Sequence, residues 1–273
     1  MSGRTINLGE HRVWLSEGGS GPPLVYLHGF ANIHAASADW MPFQHELLNM
    51  YSLLAPAHPG CGDSDEREDI DIIDDVVFHY VELFDALELE RFPLIGSGVG
   101  GWIAAEIALR YPERVIALVL IGATGLYVPG VPIGDLFWYA QPDDGVAYNG
   151  LRHLLFANAD TPIGRKLFPD SREDLDLELR RFKMFRFANT IGFKPPYLHN
   201  RKLRSRLRRY RGPALVLWGA ENHLVPLAHA EAYATTLPNA HLELVDGVGH
   251  SVVAEHPTEA LRRVQRFLLG QNP

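Results

Sequence analysis

Apolar positions along the chain follow two alternating periodicities. Short continuous apolar runs at residues 24–27, 52–55, 92–95, 115–121, 214–218 and 241–245 have the length and composition of strands covered on both faces. Between them lie segments whose apolar residues recur at three and four. Val77, Tyr80, Val81, Phe84 and Leu87 form one such stripe, and Leu261, Val264, Phe267 and Leu268 form another behind the helix-opening Pro257. This alternation predicts parallel strands joined by right-handed helical crossovers, and so an α/β fold with a mostly parallel, doubly wound sheet.

The alternation breaks once, between the run ending at Ile121 and the one starting at Ala214. The intervening residues carry amphipathic helical segments, such as 151–156 and 177–187, separated by Pro and Gly. The expected organisation is a core made of residues 1–123 and 211–273, interrupted by a helical cap over 124–210. The aromatics of that cap, Trp138, Tyr139, Phe156, Phe182 and Phe185, are expected chiefly to pack within it, with some lining an apolar pocket.

Composition narrows the partner. Hydrophobic residues make up 47% and charged residues 21% of 273, the balance of a folded soluble domain. A net charge of −8 disfavours nucleic acid and anionic membrane as partners, and points to a small apolar molecule bound by a monomer or homodimer. Cys61 is the only cysteine, and neither a signal-like segment nor a membrane-length apolar run occurs, so the expected location is cytoplasmic. The histidines show no metal-ligand spacing, and no dinucleotide fingerprint is complete, so neither a metal nor a cofactor is expected. Two charge runs, acidic from Asp63 to Asp75 and basic from Arg201 to Arg211, read as solvated faces that oppose one another, or as a site for a charged partner.

Ligands of open α/β sheets bind at the carboxyl ends of the strands, which makes the loops there the place for chemistry. Leu27-His28-Gly29-Phe30 follows one strand, and the amide of Phe30 is placed to act as an oxyanion donor. The segment from His58 to Ser64 reads as a structural turn. Gly96-Ser97-Gly98-Val99-Gly100 joins a strand to a helix, and its outer glycines let the two approach closely. Leu217-Trp218-Gly219-Ala220-Glu221-Asn222 and Gly247-Val248-Gly249-His250 follow the last two strands. In motif and order these loops resemble the α/β-hydrolase family, whose nucleophile elbow is Gly-x-Ser-x-Gly.

That resemblance implies a Ser-His-Asp triad with an oxyanion hole made by the amides of Phe30 and Val99. At the implied positions stand Gly98 for the serine, Asn222 for the acid and His250 for the histidine; Ala57 begins a turn that often begins with Asp. Glycine relieves the strain of a positive-φ elbow but removes the hydroxyl an acyl-enzyme requires. Ser97 is expected to be structural, Cys61 a small buried hydrophobe, and Glu221 a poor substitute acid. Two readings follow. In one, His250 and the oxyanion amides act on an ester, lactone or diketone without an acyl-enzyme; in the other, the chain is an inactive pseudo-hydrolase that binds a small ligand or protein partner.

Overall fold

The computed structural model describes residues 2–30, 40–141 and 148–270. Eight strands form one sheet: Ser2–Leu8 (β1), His11–Gly18 (β2), Pro23–Leu27 (β3), Ser52–Pro56 (β4), Phe92–Ser97 (β5), Val115–Ile121 (β6), Ala214–Gly219 (β7) and Ala240–Val245 (β8). Their order is β1-β2-β4-β3-β5-β6-β7-β8. From β4 onward every neighbouring pair is parallel. The six apolar runs are β3 to β8.

Two differences from the sequence pattern have physical causes. The antiparallel pair β1 and β2 extends the sheet beyond β4, and the apolar pattern does not reveal it. Strands at an edge need only one covered face, so Ile6, Leu8, Val13 and Leu15 are buried while the residues between them are largely solvated. At the other edge, β8 is only half buried rather than covered on both faces, because no strand lies beyond it.

The helices are Pro42–Leu47 (α1), Ile73–Ala86 (α2), Val99–Arg110 (α3), Leu136–Tyr139 (α4), Asn149–Leu155 (α5), Pro162–Leu167 (α6), Leu175–Gly192 (α7), Leu203–Arg206 (α8), Leu227–Thr236 (α9), Val252–Glu255 (α10) and Pro257–Leu269 (α11). Side-chain alternation along the strands divides the core into two layers. Val25 and Leu27 pack with α2 and α3 on one face, whereas Leu24 and Tyr26 pack with α1 and α11 on the other.

Helices α4 to α8 lie between β6 and β7, where the alternation breaks. The long α7 turns Met184, Phe187 and Ala188 inward and leaves Phe182 exposed. It sits on the turn after β4: Lys183 Nζ donates to the Gly62 carbonyl at 2.8 Å, and Arg186 pairs with Glu66. The returning chain is joined to the core through Asn200, whose Nδ2 donates to the buried Glu106 of α3 at 2.7 Å. The acidic run is not matched by the basic one in ion pairs: Asp65 pairs with Arg12, Asp69 with Arg67, and Asp74 with Arg110. Among the described residues no helix is long and apolar enough to cross a membrane.

Candidate active site

After β3 the chain adds β4 on one side, then returns to place β5 on the other. The two following loops meet at the carboxyl ends of β3 and β5, the place where ligands of open α/β sheets bind. Their contact is backbone to backbone. A Cβ at Gly29 would lie 2.6 Å from the Ser97 carbonyl oxygen, and one at Gly100 would lie 2.3 Å from that of Leu27. Only hydrogen side chains fit such spacing.

Gly98 stands between β5 and α3 with φ of 55°, the left-handed region that side-chain-bearing residues enter at a cost. Its N–H donates to Ile121 and its carbonyl accepts from Gly101 and Trp102, which fixes the bend. The N–H of Val99 opens the helix, and the N–H of Phe30 follows Gly29. Neither has a backbone acceptor among the described residues. Both residues are buried, as a pair of oxyanion donors requires.

His250 reaches this point from β8, three strands away. Its loop crosses the strand ends because β7 terminates in Gly219 and β6 is followed by Gly122. A Cβ at Gly219 would meet the Gly249 carbonyl at 2.0 Å, and one at Gly122 would lie 3.3 Å from His250 Nδ1. The ring then faces the elbow: a Cβ at Gly98 would be 3.1 Å from His250 Nε2. The structure therefore brings Gly98, Val99 and His250 together.

Asn222 is buried but does not hold the imidazole. Its Oδ1 accepts from the Val225 N–H at 2.8 Å, while its Nδ2 and His250 Nδ1 have no partner among the described residues. Glu221 is exposed on the same loop and leaves His250 Nδ1 unsatisfied. With no anion beside it among the described residues, burial pushes the His250 pKa down to about 3, so the ring is neutral at pH 7.

The remaining candidates sort by burial. Ser97 is the last residue of β5, in register with Ile121. Cys61 is enclosed with its Sγ 3.9 Å from Met184 Sδ, and burial pushes its thiol pKa up, which keeps it neutral. Of the insertion's aromatics, Trp138 and Phe182 face solvent and Phe156 packs against Phe168. Phe185 stacks on Phe30 at 5.3 Å, and so covers the loop after β3.

Three supporting residues escaped the sequence reading. His58 lies in the turn taken as structural; its N–H donates to His28 Nε2 at 3.1 Å, and its own Nε2 donates to the His28 carbonyl at 2.9 Å. The Tyr80 hydroxyl then donates to His58 Nδ1, so both ring tautomers follow from the network. Glu255 accepts from the Gly249 N–H and the Ala157 N–H, each at 2.9 Å, tying the His250 loop to the insertion. The only sequence trace of these roles is the histidine density near the motifs and a glutamate five residues after His250.

A family model described as the alpha/beta hydrolase fold matches residues 22–257. The 2-hydroxymuconate semialdehyde hydrolase of Pseudomonas sp. strain CF600 is 30% identical, over 97% of this chain and 93% of that protein. A 2-hydroxy-6-oxo-2,4-heptadienoate hydrolase of Pseudomonas putida is 26% identical over 99% and 97%. Among solved structures, a meta-cleavage product hydrolase from Pseudomonas fluorescens IP01 superposes with a TM-score of 0.78 over 99% of this chain and 98% of that one; at 24% identity it speaks for the fold alone. The chain belongs to the α/β-hydrolase fold family.

Proposed function

We propose that this chain acts on a small apolar carbonyl compound, an ester, lactone or diketone, without forming an acyl-enzyme. The observation that carries the reading is the approach of His250 Nε2 to the bare backbone of Gly98, beside the amides of Phe30 and Val99, which have no backbone acceptor among the described residues. The names of the relatives suggest a 2-hydroxy-6-oxo-dienoate as the first diketone-type substrate to test. His250 Nε2 takes a proton from water, and the oxygen attacks the carbonyl carbon. The amides of Phe30 and Val99 hold the resulting oxyanion. On collapse the carbonyl re-forms, the bond to the leaving group breaks, and the leaving group takes the proton from the imidazolium.

The same geometry sets the expected rate. An imidazolium formed here is desolvated and has no carboxylate beside it among the described residues, a defect that costs about 10⁴ in serine proteases when the acid becomes an amide. Oxyanion binding and substrate positioning still leave about 10³–10⁴ over water. The unpartnered His250 Nδ1 and Asn222 Nδ2 favour a second reading, a pseudo-hydrolase that binds a ligand under its helical cap without turning it over.

A panel of activated esters, lactones and 2-hydroxy-6-oxo-dienoates, run on the chain and on His250→Ala, separates the two. Turnover above background that falls at least tenfold in His250→Ala supports the enzyme. Equal rates for both proteins overturn it and leave the binding reading.

A further inference from the structure

Many arginines of this chain are matched by carboxylates. Arg4 pairs with Glu17, Arg12 with Asp65, Arg114 with Asp85, and Arg263 with Glu243. The basic run breaks this habit. Among the described residues, Arg206, Arg208, Arg209 and Arg211 have no ion pair, and all four are exposed. Folding does not ask for them: α8 and the 3-10 turn Leu207–Arg209 bury Leu203, Leu207 and Tyr210, and any soluble residue suits the positions between. Packing guanidiniums at such spacing costs self-repulsion, in a chain with acid to spare.

The four side chains line one cleft of about 1050 Å³, with Tyr111 and Pro238 as its less polar wall. Arg110 also borders it but is engaged by Glu106 and Asp74. The cleft lies at the end of α3 and just before β7 and β8, at the amino ends of the strands. It is at the opposite end of the strands from Gly98 and His250.

We infer that this cleft is a second binding site, for a small molecule carrying three or more clustered phosphate groups. Guanidinium forks match phosphate oxygens two at a time, and four unpaired forks in one concavity call for a comparable number of negative charges in one compact ligand. Single phosphates or carboxylates supply too few. A phosphorylated lipid headgroup presents the same chemistry, and the vesicle arm of the experiment distinguishes the two sources.

Calorimetric titration of the full chain with sodium tripolyphosphate in 0.1 M NaCl tests the inference. One saturable site per chain is expected, weakened by added salt and at least tenfold weaker for orthophosphate. The double variant Arg208→Glu/Arg209→Glu should lose about tenfold or more in affinity at unchanged far-ultraviolet circular dichroism, and Arg206→Gln/Arg211→Gln should weaken binding in the same direction. Absence of saturation, or equal affinity in the folded variants, overturns the inference. So does sedimentation with phosphatidylglycerol vesicles by a chain that fails to bind tripolyphosphate.

Discussion

Lowering the pH from 7.5 to 5 should destabilise this protein steeply, because several imidazoles are buried in neutral form. Burial holds His58 at about 4, and His79 and His250 at about 3. His28 is displaced in the same direction by burial and by the neighbouring His58. His58, His79 and His250 take up their protons near 6.5 in the unfolded chain and only near 3 or 4 in the folded one, so unfolding binds protons between those values. Stability is complete above about 6.5 and declines as pH falls. At pH 5 each of the three rings contributes about 2 kcal/mol of loss, and together about 6, against a total of about 5–15 for a domain. Glu255, whose carboxyl pKa is raised by burial, opposes the trend, but it is a single group.

Guanidinium chloride unfolding at pH 7.5, 6.5, 5.5 and 5.0, followed through the buried Trp102 and Trp218, measures the slope. One proton of uptake corresponds to about 1.4 kcal/mol per pH unit, and two to three protons are expected near pH 5. His79 isolates one contribution, because both of its ring nitrogens are buried without partners. His79→Phe keeps the ring volume and should remove about one proton from the slope while stabilising the protein at pH 5 by about 2 kcal/mol. A slope below one proton between pH 5.5 and 5.0, or an unchanged slope in His79→Phe, refutes the reasoning.

Further outcomes follow from the site. Gly98→Ser should cost about 1–3 kcal/mol at its φ of 55°. Combined with Asn222→Asp it should raise p-nitrophenyl acetate hydrolysis by at least a hundredfold; no gain in a folded double variant would show that His250 does not serve the elbow. Glu255→Ala should lose about 3 kcal/mol by thermal or chemical denaturation, since the N–H groups of Gly249 and Ala157 both lose their acceptor, and Glu255→Gln should lose about half of that. Gly100→Ala would put a methyl 2.3 Å from the Leu27 oxygen and 2.4 Å from that of His28, and should destabilise by more than about 4 kcal/mol or abolish soluble expression.

The parts of this protein legible in its sequence are those specified by local periodicity and by chain order. Strands β3 to β8, the stripes of α2 and α11, the helical insertion and the Gly-Ser-Gly-Val-Gly turn each depend on neighbouring residues, so the pattern carries them. The edge hairpin β1 and β2 escaped because a strand covered on one face does not need a continuous apolar run. Partner identity escaped as well: the acidic run is matched by Arg12, Arg67, Arg110 and Arg186 and not by the basic run, since ion pairs depend on which surfaces the fold brings together.

The sequence by itself determined that Gly98, Asn222 and His250 stand in the loops that follow β5, β7 and β8. Only the tertiary structure decided what they touch. Asn222 spends its amide oxygen on Val225, Gly122 and Gly219 clear the path for the His250 loop, and Glu255 fastens that loop to the insertion. Those relations join residues from separate strands, and their distances come from the packing of the whole sheet. No local pattern contains them.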